Sequence, residues 1–483
     1  MRRFRLPMLI GWVALILLTL EDRGLATEPP IELLDGRDAR IDELEQAVAG
    51  LQQQIEALQD CSGSLVPGIP GCDVCPEVCA ASPTSQDKPV SHGVVYDNGW
   101  TLRPLDPRRT PYELTLSLHN QFRYTGFASD DPFYINSAGR VVPTPDRNDF
   151  DINRGRLVFS GYAIDPLLEF YANVDYNTVA DQQIQMLMAW IRHPFNPAFN
   201  LAYGLGKVPG TWEWQESSRF TLGAERSLAT TFFRPSMTAG IWADGELQSG
   251  LHYRALIGDG FNTFSLNASE VDTNLVYSGL LWWEPCGAFG IGFSDLDDHQ
   301  QPVVRFGSAF TYSRQDADPI GGPGPEQTVV RLSDGTRLVE AGSLAPGVTV
   351  NQFDLSLYTI HGGLKSRGNS LTGEYFFRWL SSLSGTGPLP RTSIFDHGFF
   401  VQGGTFVIPR SVELFGRGSA VFGPFGDGSE LAGGVNWYVK NKRDWRFTFD
   451  IARIDDSPAQ QDRTGFLAGA SGLLIRTQFW TYF

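Results

Sequence analysis

Residues 149–176 read DFDINRGRLVFSGYAIDPLLEFYANVDY, and the rest of the chain repeats the pattern of this stretch. Asp165-Pro166 is a turn signal, because proline fixes φ and aspartate bonds its own backbone. After it, apolar residues alternate with polar ones, the apolar set being Leu168, Phe170, Ala172, Val174 and Tyr176. A period of two predicts a β-hairpin with one apolar and one charged face. Such a hairpin fits a soluble sandwich, whose apolar face meets a core, and a membrane barrel, whose apolar face meets lipid.

The same alternation recurs from Tyr112 to the C-terminus, for example in 114–118, 199–205, 371–379 and 445–451. Short turn signals join many runs, and they are Asp165-Pro166, residues 193–197, Glu284-Pro285, residues 408–410 and Asn441-Lys442. Longer pieces rich in Gly, Pro and Asp separate others, at 315–347, 383–392 and 455–464. Alternating short turns and long loops are typical of outer-membrane barrels. We therefore expect an all-β fold in which residues 111–483 form a transmembrane antiparallel barrel of about 16 strands.

The last strand and the composition agree with this prediction. The chain ends in Phe483, with Ile475, Phe479 and Phe483 on one face, which resembles the recognition signal of bacterial outer-membrane barrel assembly. Hydrophobic residues make up 42% and charged residues 19% of the 483 residues, values that exclude a helical membrane protein. A net charge of −16 argues against nucleic-acid binding, which needs a basic surface.

Residues 1–26 have the features of an export signal. Arg2, Arg3 and Arg5 precede an apolar run from Leu6 to Leu20, and Gly24-Leu25-Ala26 offers small residues for cleavage. The alternative is a membrane anchor, but a spanning helix needs about 20 apolar residues. No cysteine follows closely, so we do not expect a lipid-anchored form. The chain is predicted to reach the outer membrane with its N-terminal region in the periplasm.

Residues 27–60 contain a heptad repeat. Leu34, Ile41, Val48 and Ile55 are spaced by seven, and Leu44, Leu51 and Leu58 fill the second apolar position. Strict 3-4 spacing predicts a short coiled-coil helix that oligomerises, with a weak preference for a parallel dimer. A single amphipathic helix packed on a domain is the alternative.

Residues 61–110 are rich in Pro, Gly and Ser and are predicted to be a linker. They contain Cys61, Cys72, Cys75 and Cys79. Exported proteins generally keep cysteines as disulfides, so disulfides within or between chains are favoured. A zinc site is the alternative, but no second His or Cys pair follows at suitable spacing.

Strand parity selects the residues expected to face water inside the barrel. The basic set is Arg154, Arg156, Arg378, Arg417, Arg446 and Arg476, and the acidic set is Glu169, Asp175, Glu374, Glu413 and Asp450. Together they indicate facing basic and acidic walls of an aqueous pore. The alternative for each residue is that it merely solvates a face or pairs with a neighbour.

Residues 207–240 are the best candidate for a loop that constricts the pore. This region carries Lys207, Arg219, Arg226 and Arg234. Its Trp212 and Trp214 are candidates for interfacial anchors instead.

Several segments resemble the phosphate-selective porin family, porins O and P. They are Asn153-Arg-Gly-Arg-Leu with its hairpin, residues 204–214 with Lys207-Val-Pro, residues 220–228, residues 401–418 and Gly434-Val-Asn-Trp-Tyr-Val. The resemblance covers about residues 110–483. It implies a 16-stranded, trimeric, water-filled barrel with an inward-folded loop, and a channel lined with Arg and Lys in its anion-selective members. Some outer-membrane porins also carry an N-terminal coiled coil that reaches toward the cell wall.

These observations predict a porin: a diffusion channel for small hydrophilic solutes or ions, with a mild preference for anions such as phosphate. An enzymatic barrel is the second class, but the chain has no Gly-x-Ser-x-Gly elbow, no His-Glu-x-x-His and no phosphate-cradling loop. A structural barrel that tethers the membrane to the cell wall through the coiled coil is the third. No cofactor or metal is expected, and the expected partners are outer-membrane lipid, small solutes or anions, and further copies of the chain.

Overall fold

The computed structural model describes residues 92–105, 112–179, 184–263, 271–316 and 329–483. The predictions for the signal peptide, the coiled coil and the four clustered cysteines lie outside these residues. Of the predicted linker, the described part folds as a hairpin of β1 (His92–Tyr96) and β2 (Trp100–Pro104). Within the described residues, no helix is long and apolar enough to cross a membrane.

The remaining described elements are mostly long strands joined by hairpins. In chain order the strands are β3 (Tyr112–Ser129), β4 (Phe133–Ile135), β5 (Val141–Pro143), β6 (Arg147–Ala163), β7 (Asp165–Tyr176), β8 (Gln185–Asn196), β9 (Phe199–Lys207), β10 (Met237–Gln248), β11 (Leu251–Gly258), β12 (Val276–Trp283), β13 (Val303–Asp316), β14 (Val350–Ser366), β15 (Asn369–Gly385), β16 (Ile394–Ile408), β17 (Val412–Gly423), β18 (Gly426–Tyr438), β19 (Trp445–Asp455) and β20 (Gly472–Tyr482). Two short helices, α1 (Trp212–Gln215) and α2 (Leu228–Phe233), lie between β9 and β10.

Sixteen of the described strands, β3 and β6 to β20, close into one antiparallel barrel. Closure comes from β20 pairing with β3, from Gly472 opposite Ser129 to Tyr482 opposite His119. Phe483 extends this pairing, because its backbone N–H donates to Leu118 O at 3.0 Å. The small hairpin β1–β2 adds to β3 beside this seam. The predicted all-β antiparallel barrel of about 16 strands is confirmed.

Side-chain alternation explains why each strand takes its place in the wall. In β19, Arg446, Thr448 and Asp450 are buried toward the lumen, while Phe449 and Ile451 are exposed on the outer face. The same outward apolar belt continues around the barrel, for example at Ile241, Phe306, Tyr358, Leu414 and Leu431. An apolar outer face and a polar inner face are what a barrel in lipid requires.

Most short turns lie at one end of the barrel, the short-turn end, and most longer connections at the other, the long-loop end. The hairpin that begins the sequence pattern reverses at Ile164, whose φ is 72°, just before Asp165-Pro166. Glu284-Pro285, expected to be a short turn, is instead the start of a long connection that runs from 284 to 302. The prediction of a short turn was wrong. The proline marks the end of β12, but the chain then folds back inside the barrel before β13 begins.

The outer belt gives a depth-dependent test of lipid contact. Ile451→Arg, near the middle of β19, should lower the free energy of unfolding in bilayers by about 2–4 kcal/mol, since it places a guanidinium in hydrocarbon. Leu473→Arg, at the long-loop end of β20, should change it by only about 0–1 kcal/mol. Urea titration of the protein folded into lipid vesicles measures both, and equal losses at the two depths would contradict the assignment of the outer face.

Candidate functional site

The segment between β9 and β10, residues 208–236, folds into the barrel and is called here the inserted segment. Pro209 follows the end of β9, where its missing N–H cannot continue the ladder. Thr211 caps α1 by accepting from Trp214 N at 3.2 Å, and Ser227 caps α2 by accepting from Thr230 N at 3.2 Å. Most of the segment is buried, including Trp212 and Trp214. These two tryptophans therefore pack inside the lumen and are not interfacial anchors.

One carboxylate holds the middle of the inserted segment. Glu225 is 1% exposed and lies between the guanidiniums of Arg123 on β3 and Arg154 on β6. Its Oε1 accepts from Arg123 Nη2 at 2.5 Å, and its Oε2 accepts from Arg154 Nη2 at 3.0 Å. Asn153 Nδ2 donates to the same carboxylate at 2.9 Å. Burial alone would raise the pKa of Glu225, but the two guanidiniums hold it well below its usual range.

Carboxylates of the barrel wall bind backbone N–H groups of the inserted segment. Glu374 Oε1 accepts from Trp212 N at 2.8 Å, Asp450 Oδ2 from Ala224 N at 2.9 Å, and Glu430 Oε2 from Leu228 N at 2.9 Å. Backbone groups buried inside a barrel need such partners, because an unsatisfied group is costly.

Guanidiniums of the same wall bind carbonyl groups of the inserted segment. Arg417 Nη1 donates to Glu225 O at 2.8 Å, and Arg446 Nη1 donates to Thr221 O at 2.7 Å. Charged side chains of the wall from β15 to β20 therefore supply both donors and acceptors to the backbone of the inserted segment.

A second segment, residues 284–302, enters from the short-turn end. Phe289 and Phe293 are buried against Trp212, with ring centroids 5.5 and 5.0 Å apart from it. Lys365 Nζ donates to Phe289 O at 3.1 Å and fixes this contact to β14. With residues 329–339, whose Leu332 and Leu338 join the apolar core around α2, these segments fill the half of the lumen next to β13–β20.

The other half of the lumen holds a cavity of about 850 Å³ between the inserted segment and the β6–β11 wall. Its lining extends from Gln461–Arg463 at the long-loop end to Arg192, Asp244 and Arg254 toward the short-turn end. The cationic residues on this lining are Arg154, Arg156, Arg192, Lys207, Arg226, Arg234, Arg254, Arg331, Arg378 and Arg463. The carboxylates on it are Asp244 and Asp462. Basic side chains on the lining of this cavity therefore outnumber acidic ones, although the chain as a whole is acidic.

Three of these cations, Lys207, Arg226 and Arg234, form what is called here the cationic cluster. All three surround the Trp214 ring, with the charged groups 5.1, 4.9 and 4.4 Å from its centroid. Lys207 Nζ donates to the carbonyls of Trp214, Gln215 and Glu216, and Arg226 donates to those of Glu213 and Glu216. Over the described part of the chain, no carboxylate lies within ion-pair distance of any of the three.

The two guanidiniums of the cluster keep their charge at neutral pH. Burial, with the neighbouring Arg154, lowers the pKa of Arg226 to about 10. Burial, with the neighbouring Arg226, lowers the pKa of Arg234 to about 9. Both guanidiniums therefore remain cations at pH 7.

The structure places the sequence-predicted lumen residues in different surroundings. Arg154, Arg156, Lys207, Arg226 and Arg378 border the cavity, while Glu169 and Asp175 lie beside it, paired with Arg192 and Arg156. Arg219 reaches the short-turn end and pairs with Asp444. The other predicted residues face the lumen beneath the filling segments, and these are Glu374, Glu413, Arg417, Arg446 and Arg476.

Sequence reasoning missed several residues that border the cavity. Arg192, Asp244 and Arg254 form one network, with Arg192 Nη2 donating to Asp244 at 2.9 Å. Tyr171, Trp190 and Trp242 lie on the same wall. The period of two in 185–196 and 237–248 was the signal for these residues, and it places Trp190 and Arg192 on one face. Among the described residues, no group of three or more His, Cys, Asp or Glu is arranged to hold a metal ion.

No protein-family model and no curated protein sequence matches the chain. Among solved structures, it is similar to an anion-selective porin from Comamonas acidovorans, with a TM-score of 0.51 and 10% identity over 77% of this chain and 100% of that one. It is also similar to Salmonella typhi OmpF in complex with daunomycin (TM-score 0.48, 10% identity, 81% and 100% covered) and to the trimer form of Vibrio cholerae OmpT (TM-score 0.45, 12% identity, 76% and 99% covered). At these identities the likeness concerns the fold alone, which is that of an outer-membrane porin barrel.

The Glu225 anchor gives a test of how the inserted segment is held. Glu225→Gln should leave Arg123 and Arg154 buried without their counter-charge, so we expect the free energy of unfolding to fall by about 3–5 kcal/mol. Single-channel current should also become noisier, since the segment loses its central contact. Glu216→Gln, on the same segment but outside this ion pair, is the matched control. Unchanged stability and steady current in Glu225→Gln would show that the anchor is dispensable.

Proposed function

We propose that this chain forms a non-enzymatic, water-filled diffusion channel in the outer membrane, with a preference for small anions, phosphate among them. The barrel supplies the wall, the inserted segment narrows the lumen, and the cavity beside it is the path of the solute. The export signal, the apolar outer belt and the porin fold support the location. In this proposal the N-terminal region lies in the periplasm and the chains assemble as a trimer.

The observation that carries the anion preference is the cationic cluster at Lys207, Arg226 and Arg234. Several other guanidiniums of the inner wall face carboxylates, as Arg476 faces Asp450 at 2.8 and 2.9 Å. Such a pair presents little net charge to a passing ion. The three cations of the cluster surround an indole and have no carboxylate within ion-pair distance among the described residues, so their field reaches into the cavity. A passage lined by one sign of charge concentrates ions of the other sign.

Planar-bilayer recording tests this proposal directly. Across a potassium chloride gradient, the purified protein should show step-like openings. Its reversal potential should be shifted toward the equilibrium potential of chloride. A cation-selective reversal potential would contradict the anion preference. An absence of openings would instead favour the third class, a sealed barrel that acts as a structural tether through its N-terminal helix to the cell wall.

Removing one charge of the cluster should weaken the preference by a measurable factor. Coulomb's law in a water-like medium gives about 0.8 kcal/mol for an anion about 5 Å from a unit charge, or roughly a fourfold change in local anion concentration. Arg234→Gln should therefore lower the chloride-to-potassium permeability ratio by about that factor. Bilayer reversal potentials measure the ratio before and after the change.

Arg453→Gln is the matched control for this measurement. Arg453 lies at the long-loop end of β19, exposed on the outer face and paired with Asp130 and Asp455, so the same loss of charge occurs away from the cavity. Its permeability ratio should stay at the wild-type value. An equal drop in both variants would show that overall charge, and not the cluster, sets the selectivity.

A further inference from the structure

The cavity wall opposite the inserted segment carries three aromatic side chains, Tyr171 on β7, Trp190 on β8 and Trp242 on β10, called here the aromatic strip. Tyr171 and Trp190 are directly opposite in the register and stack with ring centroids 5.3 Å apart and 10° between planes. Trp242 meets Trp190 edge to face at 6.4 Å. All three border the cavity. The strip is therefore continuous along the wall of the passage.

The intervening strand β9 carries small residues next to the aromatic rings. Its lumen-facing positions are Ala202, Gly204 and Gly206. Gly204 lies opposite Trp190 in the register, and a Cβ at Gly206 would come within 3.0 Å of the Trp242 ring. Any larger residue at Gly206 would have to push that ring aside. The glycine thus lets the Trp242 indole lie along the wall.

The aromatic strip and the cationic cluster meet at one place. Gly206, which lies beneath the Trp242 ring, directly precedes Lys207 of the cluster. Arg192, two residues after Trp190 on β8, has its charge matched by Glu169 and Asp244. The positive charge without an ion-pair partner in this part of the cavity is therefore that of the cluster, which borders the same cavity as the aromatic strip. Trp214 is not part of this surface, because the three cations already surround it.

We propose that the passage binds small aromatic carboxylates, with the carboxylate at the cationic cluster and the ring on the aromatic strip. This inference rests on the proposed anion channel and adds its substrate class. Inorganic phosphate or chloride would use only the cations, and a neutral sugar only the rings. An aromatic carboxylate uses both, since ring stacking adds to the ionic contact.

The test uses the purified full-length protein in planar bilayers, with chloride current as the readout. Benzoate is compared with cyclohexanecarboxylate, which has the same charge and similar size but no flat ring. We expect benzoate to reach half-block at about threefold to tenfold lower concentration, since only it stacks. Equal block by the two anions would overturn the proposal.

Two further probes separate the contributions of charge and ring. Benzyl alcohol, which keeps the ring without the charge, and phosphate, which keeps the charge without the ring, should both block less than benzoate. If either blocks as well as benzoate, the two-part site is wrong. The chloride-to-potassium permeability ratio, measured on the same channels, reports separately on the anion channel: a cation-selective ratio would refute that function, whereas an anion-selective ratio with no benzoate preference would refute only the aromatic site.

Substitutions in the aromatic strip test which residues produce the benzoate preference. Trp190→Leu and Trp242→Leu should bring the ratio of benzoate to cyclohexanecarboxylate half-block close to one, with chloride selectivity unchanged. Tyr203→Leu is the matched control, because Tyr203 lies on β9 between the two indoles but is exposed on the outer face. It should keep the wild-type benzoate preference. A preference that survives in the Trp190→Leu, Trp242→Leu double variant, with steady channels, would overturn the proposal.

Discussion

The structure of the lumen depends on one buried ion pair network, in which Glu225 is held between Arg123 and Arg154. Where the inserted segment is buried against the wall, water is excluded, so its buried N–H and C=O groups need partners from the wall. Glu225 fixes the middle of the inserted segment, and the wall carboxylates Glu374 and Asp450 accept from its backbone on the way in. The charged residues that the sequence pattern assigns to the barrel wall thus hold the inserted segment in place inside the barrel.

This use of charge explains how an acidic protein can have a cationic passage. Several wall carboxylates form ion pairs with wall arginines, as Glu430 does with Arg417 and Asp396 with Arg378. In the cationic cluster, Lys207, Arg226 and Arg234 have no carboxylate within ion-pair distance among the described residues, and Lys207 and Arg226 bind backbone carbonyls of the inserted segment. The net charge of −16 belongs to the whole chain and does not predict the sign of the field in the lumen. In the proposed channel, the charges that lack a carboxylate partner set the selectivity.

The period of two predicted the strands of the barrel and the inward face of β19, because alternation is a local property that one strand displays alone, and the length of residues 111–483 predicted the strand number. The same parity placed Arg154 and Glu374 on the lumen side but did not separate them by role. Arg154 borders the cavity and Glu374 binds the backbone of Trp212, a difference set by where the inserted segment lies. Glu284-Pro285 failed as a short-turn signal for the same reason: dipeptides report a reversal, but a buried return path depends on distant partners such as Lys365.

The position of the open half of the lumen follows from which wall has acceptors to offer. On β15, β18 and β19, Glu374, Glu430 and Asp450 each accept from a backbone N–H of the inserted segment, and Glu430 and Asp450 do so while they are also paired with arginines. On β7 and β10, the cavity-side carboxylates are already bound, since Arg192 takes both Glu169 and Asp244. Gly206 and the indoles of Trp190 and Trp242 also lie on that wall, and their side chains accept no hydrogen bond. The inserted segment therefore takes its carboxylate acceptors from β15, β18 and β19, and the cavity lies on the aromatic side.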